Sequence, residues 1–103
     1  MSTPSNPYVN LKAEANRHRL SFIKSELVVC FTFSTIAAQK YELGNQESAV
    51  KSIANAEKAY ETVVQVLSHS KHSKHLTVEE IGDTTAELQC LRGRLDRLQQ
   101  LRK

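Results

Sequence analysis

The chain has 103 residues, which is enough for one ordinary domain and too few for two. It carries 14 Lys and Arg against 11 Asp and Glu, and a net charge of +3 is too small to indicate a nucleic-acid binder. With 40% hydrophobic and 24% charged residues, the composition predicts a packed core and argues against disorder.

The first helix is predicted over residues 8–43, after a flexible polar leader at 1–7. Asn6 and Pro7 suit a helix start, because Asn caps free amides and Pro is tolerated at the first helical position. Apolar or small residues then recur at alternating steps of three and four, forming the stripe Leu20, Ile23, Leu27, Cys30, Ser34, Ala37 and Tyr41. A second stripe beside it consists of Phe22, Val29, Phe33 and Ile36. A face this wide predicts a long helix that touches two neighbours.

The second helix is predicted over residues 46–68, directly after Gly44 and Asn45. Glycine fits the left-handed residue that follows a helix, and asparagine can cap the helix that comes next. A connection this short forces the first two helices into an antiparallel hairpin.

The third helix is predicted over residues 77–102. The segment 68–76, SHSKHSKHL, is polar and lacks periodicity, so it is predicted to be a loop. Thr77 and Glu80 have the spacing of a capping box, which opens a helix. The sequence therefore predicts an all-α fold, a three-helix antiparallel bundle that forms one domain over residues 8–103.

The charges of the third helix are sorted along its length. Acidic residues come first and basic residues follow, in the order Glu79, Glu80, Asp83, Glu87, Arg92, Arg94, Arg97, Arg102 and Lys103. This order complements the helix dipole. The late arginines are also compatible with a nucleic-acid patch, but no aromatic residues interleave with them, so nucleic acid is not the expected partner.

The first hairpin carries a pattern of small and large residues that lets two helices approach closely. The pattern consists of Phe33, Ile36 and Ala37 on the first helix, Ala49, Ile53 and Ala56 on the second, and Gly44 at the turn. The pattern resembles the tetratricopeptide repeat, a helix–turn–helix unit of 34 residues. The resemblance covers residues 30–63 and implies a peptide- or protein-binding scaffold without enzymatic activity. Glu61 stands where the closing proline of the repeat belongs, so the second helix is expected to continue past the repeat.

Three histidines are the strongest candidates for metal chemistry. His69, His72 and His75 are spaced by three, and neutral imidazoles at that spacing can share one zinc, copper or nickel ion. The flanking Lys71 and Lys74 repel a cation, and no carboxylate or thiol lies within the run. We therefore expect a solvated loop without metal, and no cofactor.

Neither cysteine is placed for catalysis. Cys30 and Cys90 lie in apolar helical patterns without a histidine in register, so both are expected to be small buried hydrophobes. The three glycines are isolated, so no phosphate-binding loop is present. The sequence predicts that the protein is not an enzyme.

The most favoured function is a non-catalytic protein–protein interaction module or adaptor subunit. The alternative is a structural protein that self-associates through the leucines of its third helix, and a nucleic-acid- or metal-dependent regulator is the least favoured. The N-terminus has no signal-peptide core, and no stretch was expected to reach the roughly 18 apolar residues of a membrane span. The protein is therefore predicted to be cytoplasmic, with an unidentified protein or a second copy as partner and no membrane contact.

Helix lengths predict where the partner binds. A second helix ending near residue 68 reaches back only to about residue 21 of the first, which leaves residues 8–20 as an overhang. An uncovered apolar stripe usually marks an interface. The predicted partner-binding residues are Tyr8, Leu11, Arg17, Arg19 and Leu20. The alternative is that the first helix kinks and this segment folds back over its own domain.

Overall fold

A computed structural model shows three helices packed side by side into an antiparallel bundle, with no strand among the residues described. The structure describes the backbone of residues 7–73 and 76–101, and the side chains of 15, 17–69 and 76–101. Helix α1 spans Pro7–Glu42, α2 spans Gln46–Ser73 and α3 spans Val78–Gln100. The bundle measures 63 × 20 × 18 Å between Cα atoms. The predicted all-α bundle with a long first helix is confirmed.

The turn between α1 and α2 is built by two residues. Gly44 has a φ of +77°, and its amide donates to the carbonyl of Tyr41 at 3.0 Å. The amide of Asn45 donates to the carbonyl of Lys40 at 2.8 Å, which completes a Schellman ending of α1. The Asn45 side chain then accepts from the Ser48 amide at 3.2 Å, so one residue closes α1 and caps α2.

The capping box predicted for α3 is present. The Glu80 amide donates to the Thr77 hydroxyl oxygen at 3.0 Å, and the Thr77 amide donates to the Glu80 carboxylate at 2.9 Å. Two amides at the start of α3 therefore have partners, and the helix begins at a defined residue.

The end of α2 differs from the prediction. The segment 68–76 was predicted to be a loop, but α2 continues as helix to Ser73. No glycine or proline interrupts residues 46–73, so the polarity after Leu67 reflects solvent exposure of a helix and not its end. Five further residues extend α2 by about 7 Å and carry it further along the N-terminal part of α1.

The core consists of two clusters along the bundle. Its main cluster consists of Ile23, Leu27, Cys30, Ala56, Ala59, Val63, Leu67, Leu76, Leu88, Leu91 and Leu95, and a smaller cluster near the α1–α2 turn of Ala37, Ile53 and Leu98. The first predicted stripe of α1 lies in or against this core. The second stripe is divided, because Phe33 packs half-buried against the main cluster whereas Phe22 and Val29 remain 46% and 37% exposed. Both neighbours of α1 contact the same side of the helix, so a second apolar face is left toward solvent.

Small residues of α1 and α2 are buried inside the hairpin. Ala37, Ala49 and Ala56 are each fully buried, as the resemblance to the tetratricopeptide repeat implies for a close helix crossing. Close helical hairpins of any family share this property, so the relationship to that repeat stays a prediction.

A charged group joins α2 to α3. The guanidinium of Arg92 donates two hydrogen bonds to the carboxylate of Glu57, one of them at 2.8 Å, and its Nε donates to Asp96 at 2.9 Å. Gln99 also donates to Glu57 at 2.7 Å, and Arg92 lies 5.0 Å from the centroid of the Tyr60 ring. The Glu57 carboxylate raises the pKa of Arg92, so this arginine stays charged and acts as a structural clamp.

Candidate protein-binding site

The outward face of α1 is unusually apolar for a surface helix. Phe22, Val28, Val29 and Phe31 are 46%, 63%, 37% and 52% exposed, and they lie within three turns of one another. No charged residue occurs between positions 27 and 39. Solvated helix faces normally carry charged side chains, and contiguous exposed apolar residues usually mark an interaction surface. This face is therefore the strongest candidate site among the described residues.

A groove borders this face on the side of α2. We call it the α1–α2 groove; its volume is about 300 Å³, and it is lined by Glu26, Val29, Phe33, Asn55, Lys58, Ala59 and Thr62. Every lining residue belongs to α1 or α2, so α3 does not close the groove. Its apolar residues are bordered by an acid, a lysine and two neutral polar residues, the composition expected of a protein-binding surface.

A second groove lies on the opposite flank of α1. We call it the α1–α3 groove; its volume is about 500 Å³, and it is lined by Lys24, Leu27, Val28, Phe31 and Glu87. At its end the guanidinium of Arg94 lies 4.9 Å from the Phe31 ring centroid and donates to the Thr35 hydroxyl at 3.0 Å. Arg94 therefore covers part of Phe31 and leaves the rest of this groove open.

The predicted partner-binding residues are only partly described. Arg17 is exposed and Arg19 is half-buried, while the side chains of Tyr8 and Leu11 lie outside the described residues. Leu20 is not part of an uncovered overhang, because it packs half-buried against the main core cluster. The reason is the longer α2, which covers more of α1 than the predicted end at residue 68 allowed.

The predicted histidine loop is helical at its start. His69 is an exposed residue of α2, and the side chains of His72 and His75 lie outside the described residues. Among the residues whose side chains are described, no group of three or more His, Cys, Asp or Glu is arranged to hold a metal ion. The expectation that these three histidines hold no metal ion stays a prediction.

The two cysteines have opposite environments. Cys30 is fully buried as predicted, but Cys90 is exposed on α3, so the prediction of two buried thiols is wrong for Cys90. The apolar stripe of α3 runs through Leu88, Leu91 and Leu95, and Cys90 faces away from it. Burial raises the pKa of Cys30, with a further rise from the Glu57 carboxylate and an opposing effect of Arg92.

In dilute native protein, we expect a thiol reagent to modify one cysteine rapidly and the second only after unfolding. The thiolate is the reactive form, and burial keeps Cys30 both protonated and inaccessible. Ellman's reagent with and without denaturant measures the two rates. Cys90→Ser should remove the rapid reaction, whereas Cys30→Ala should leave it; the reverse pattern would contradict the placement of both residues.

Part of α1 has the composition of a membrane span. Arg17–Glu42 has a mean hydropathy of 1.5 over its most apolar 18-residue window, so the prediction that no stretch reaches this range is wrong. One such helix is weak evidence, because core helices of soluble proteins and signal sequences have the same composition. In this structure, 28% of that 18-residue segment is buried inside the bundle. The cytoplasmic location stays a prediction.

No protein-family model matches this chain, and no curated protein and no solved structure shows significant similarity to it. The functional argument therefore rests on the surface of α1 and its flanking grooves.

Proposed function

We propose that this chain is a non-catalytic protein-binding module, an adaptor that holds a helical segment of a partner protein in the α1–α2 groove. The observation that supports it best is the exposed apolar residues of α1 beside an open groove. Burying them on a partner removes apolar area from water, at roughly 25 cal/mol per Å².

A helix suits this groove better than an extended peptide. The described residues offer no strand edge for an extended peptide to pair with, whereas two adjacent antiparallel helices form a straight channel for a third. Val29 and Phe33 supply the apolar contacts, and Ala59 allows a close approach on the α2 side. The partner helix would thus lie beside α1 and α2 as α3 does on the other side.

The non-catalytic part of the proposal is supported by the titratable groups. Among the described groups, clear pKa shifts occur at Cys30 and Arg92, and each has a structural cause in burial or ion pairing. Catalytic sites typically gather shifted groups in a cleft, and neither residue lines the α1–α2 groove.

The N-terminal part of α1 belongs to the same proposal. The predicted interface residues Tyr8, Leu11 and Arg17 precede the exposed face on the same helix, and Arg17 is exposed. A basic approach to the groove would steer an acidic partner surface toward it.

Site-specific photo-cross-linking in cells tests the proposal. We expect a photoreactive phenylalanine at Val29 to form a discrete adduct with one other protein. The same residue at Gln65, which is exposed on α2 and outside the groove, should form none. Thr62→Arg fills the groove and should abolish the Val29 adduct, while Gln65→Arg should leave it unchanged.

Two outcomes would contradict this function. One is the absence of a Val29 adduct when circular dichroism shows that the protein is folded. The other is an adduct with the mass of two copies of this chain, which would make the α1–α2 groove a self-association surface.

A further inference from the structure

The solvent face of α3 divides into an acidic and a basic half. On the face of α3 centred on Cys90, the exposed residues include Glu79, Asp83, Ala86, Glu87 and Arg97, with Gly93 and Arg94 half-buried among them. Asp96 is also exposed, but it lies outside this face and pairs with Arg92. All acids on this face precede Cys90 and both of its arginines follow it. Ala86, Cys90 and Gly93 are small, so another helix can approach closely at the centre.

The helix dipole does not account for this whole pattern. Its effect falls off within the first and last turns of a helix, where Glu79 and Arg97 lie. Asp83 and Glu87 lie in the second and third turns, and Arg94 is more than one turn from the end of α3. Asp83 and Glu87 are exposed, so these interior charges are accessible to a partner, whereas the Arg94 guanidinium already contacts Thr35 and Phe31 and is only partly accessible.

A second copy of the chain, placed antiparallel, matches these charges. A two-fold axis through Cys90 sets Asp83 opposite the partner's Arg97 and Glu87 opposite the partner's Gly93, next to the partner's Arg94. A parallel arrangement would set acid against acid, which repels. The acidic-to-basic order of α3 is thus complementary to itself in one orientation only.

The same axis also matches α1. Arg94 donates a hydrogen bond to Thr35, and Glu87 lines a groove together with Leu27. Residues of α1 and α3 about 60 positions apart in sequence therefore lie at the same height along the bundle. The axis therefore crosses α1 near residue 30 and sets Val28 opposite the partner's Phe31.

One more pair follows from this placement, because Arg17 then lies opposite the partner's Glu42. Apolar contacts consequently form at the centre of the paired α1 helices, and opposite charges meet at their ends. The residue patterns of α1 and of α3 are therefore compatible with the same two-fold axis.

The area of this face is sufficient for a dimer. Two adjacent helices present a surface roughly 35 Å long and roughly 20 Å wide, about 700 Å² per subunit. Stable interfaces of standard size bury about 600–1,000 Å² per partner, so this area lies within the range.

We propose that the face formed by α1 and α3 binds a second copy of this chain, antiparallel, about a two-fold axis through Cys90. The dimer buries the α1–α3 groove and the exposed Val28 and Phe31. It leaves the α1–α2 groove on the opposite flank open, so this inference goes beyond the proposed function and stands or falls separately from it.

Charge reversal tests the orientation. By sedimentation equilibrium, the wild-type chain should be a dimer at about 100 μM. Asp83→Arg and Arg97→Asp should each raise the dimer Kd at least about tenfold, whereas the double variant should return it close to the wild-type value. Glu61→Arg, on the exposed side of α2, is the matched control and should leave the Kd unchanged. Asp83 and Arg97 are exposed, so circular dichroism should show all variants folded.

Mild oxidation tests the axis itself. It should link two chains through a Cys90–Cys90 disulfide in the wild type, because the two thiols face each other across the axis, and Cys90→Ser should abolish the product while Cys30→Ser should not. A monomeric wild type, a double variant as weak as the single ones, or a dimer that does not cross-link at Cys90 would each overturn the proposal. None of these results depends on whether the α1–α2 groove binds another protein.

Discussion

Leu95→Ala is expected to lower the free energy of unfolding by about 3 kcal/mol, within the range of about 2–5 kcal/mol for buried leucines. Leu95 is fully buried in the main core cluster, where α3 meets α1 and α2. Removing its side chain loses apolar burial and leaves a cavity that surrounding helices can only partly close. Urea unfolding followed by circular dichroism measures the change.

The matched control is Leu101→Ala, at the end of the same helix. Leu101 is 57% exposed, so its truncation should change the free energy of unfolding by less than about 0.5 kcal/mol. Equal effects of the two substitutions would mean that α3 packs with a different face than the structure shows.

Ala49→Leu is expected to lower the free energy of unfolding by about 1–3 kcal/mol. Ala49 is fully buried one turn after the α1–α2 connection, where a larger side chain forces the helices apart. Ala54→Leu, at an exposed position of α2, should be neutral within about 0.5 kcal/mol.

The outcome at Ala49 also bears on the resemblance to the tetratricopeptide repeat. A close crossing at a small residue is what that pattern requires, so an unchanged midpoint for Ala49→Leu would contradict both the burial of the residue and the resemblance. A decrease at Ala49 with none at Ala54 would support the close packing of the hairpin.

Much of the fold could be predicted from the sequence, because the ends of helices are determined by residues close to them in the chain. Gly44, Asn45 and the Thr77–Glu80 pair act within a few residues of themselves, and the structure confirms each. The end of α2 could not be predicted in the same way. A polar run without glycine or proline is compatible with an exposed helix as well as with a loop. The sequence predicts a loop at 68–76, whereas α2 continues to Ser73.

The candidate site was harder to predict, because apolar periodicity does not reveal how many neighbours a helix has. Phe22 and Val29 were expected to contact a neighbour, yet α2 and α3 both contact the other side of α1. The α2 residues of the groove, such as Asn55 and Thr62, are polar and leave no apolar signal. The signal that was present is the charge-free stretch from 27 to 39.

That stretch has a consequence for how the protein is made. A ribosome synthesises α1 before α2, so residues 27–39 emerge before the helix that covers their inner face exists. At about 5–20 residues per second, the end of α2 follows roughly 2–7 s later. During this interval an apolar segment without charge is exposed on the nascent chain, and such surface is prone to aggregation. Because the turn at Gly44 places α2 directly after α1, only the synthesis of α2 itself separates the exposure of this segment from its cover.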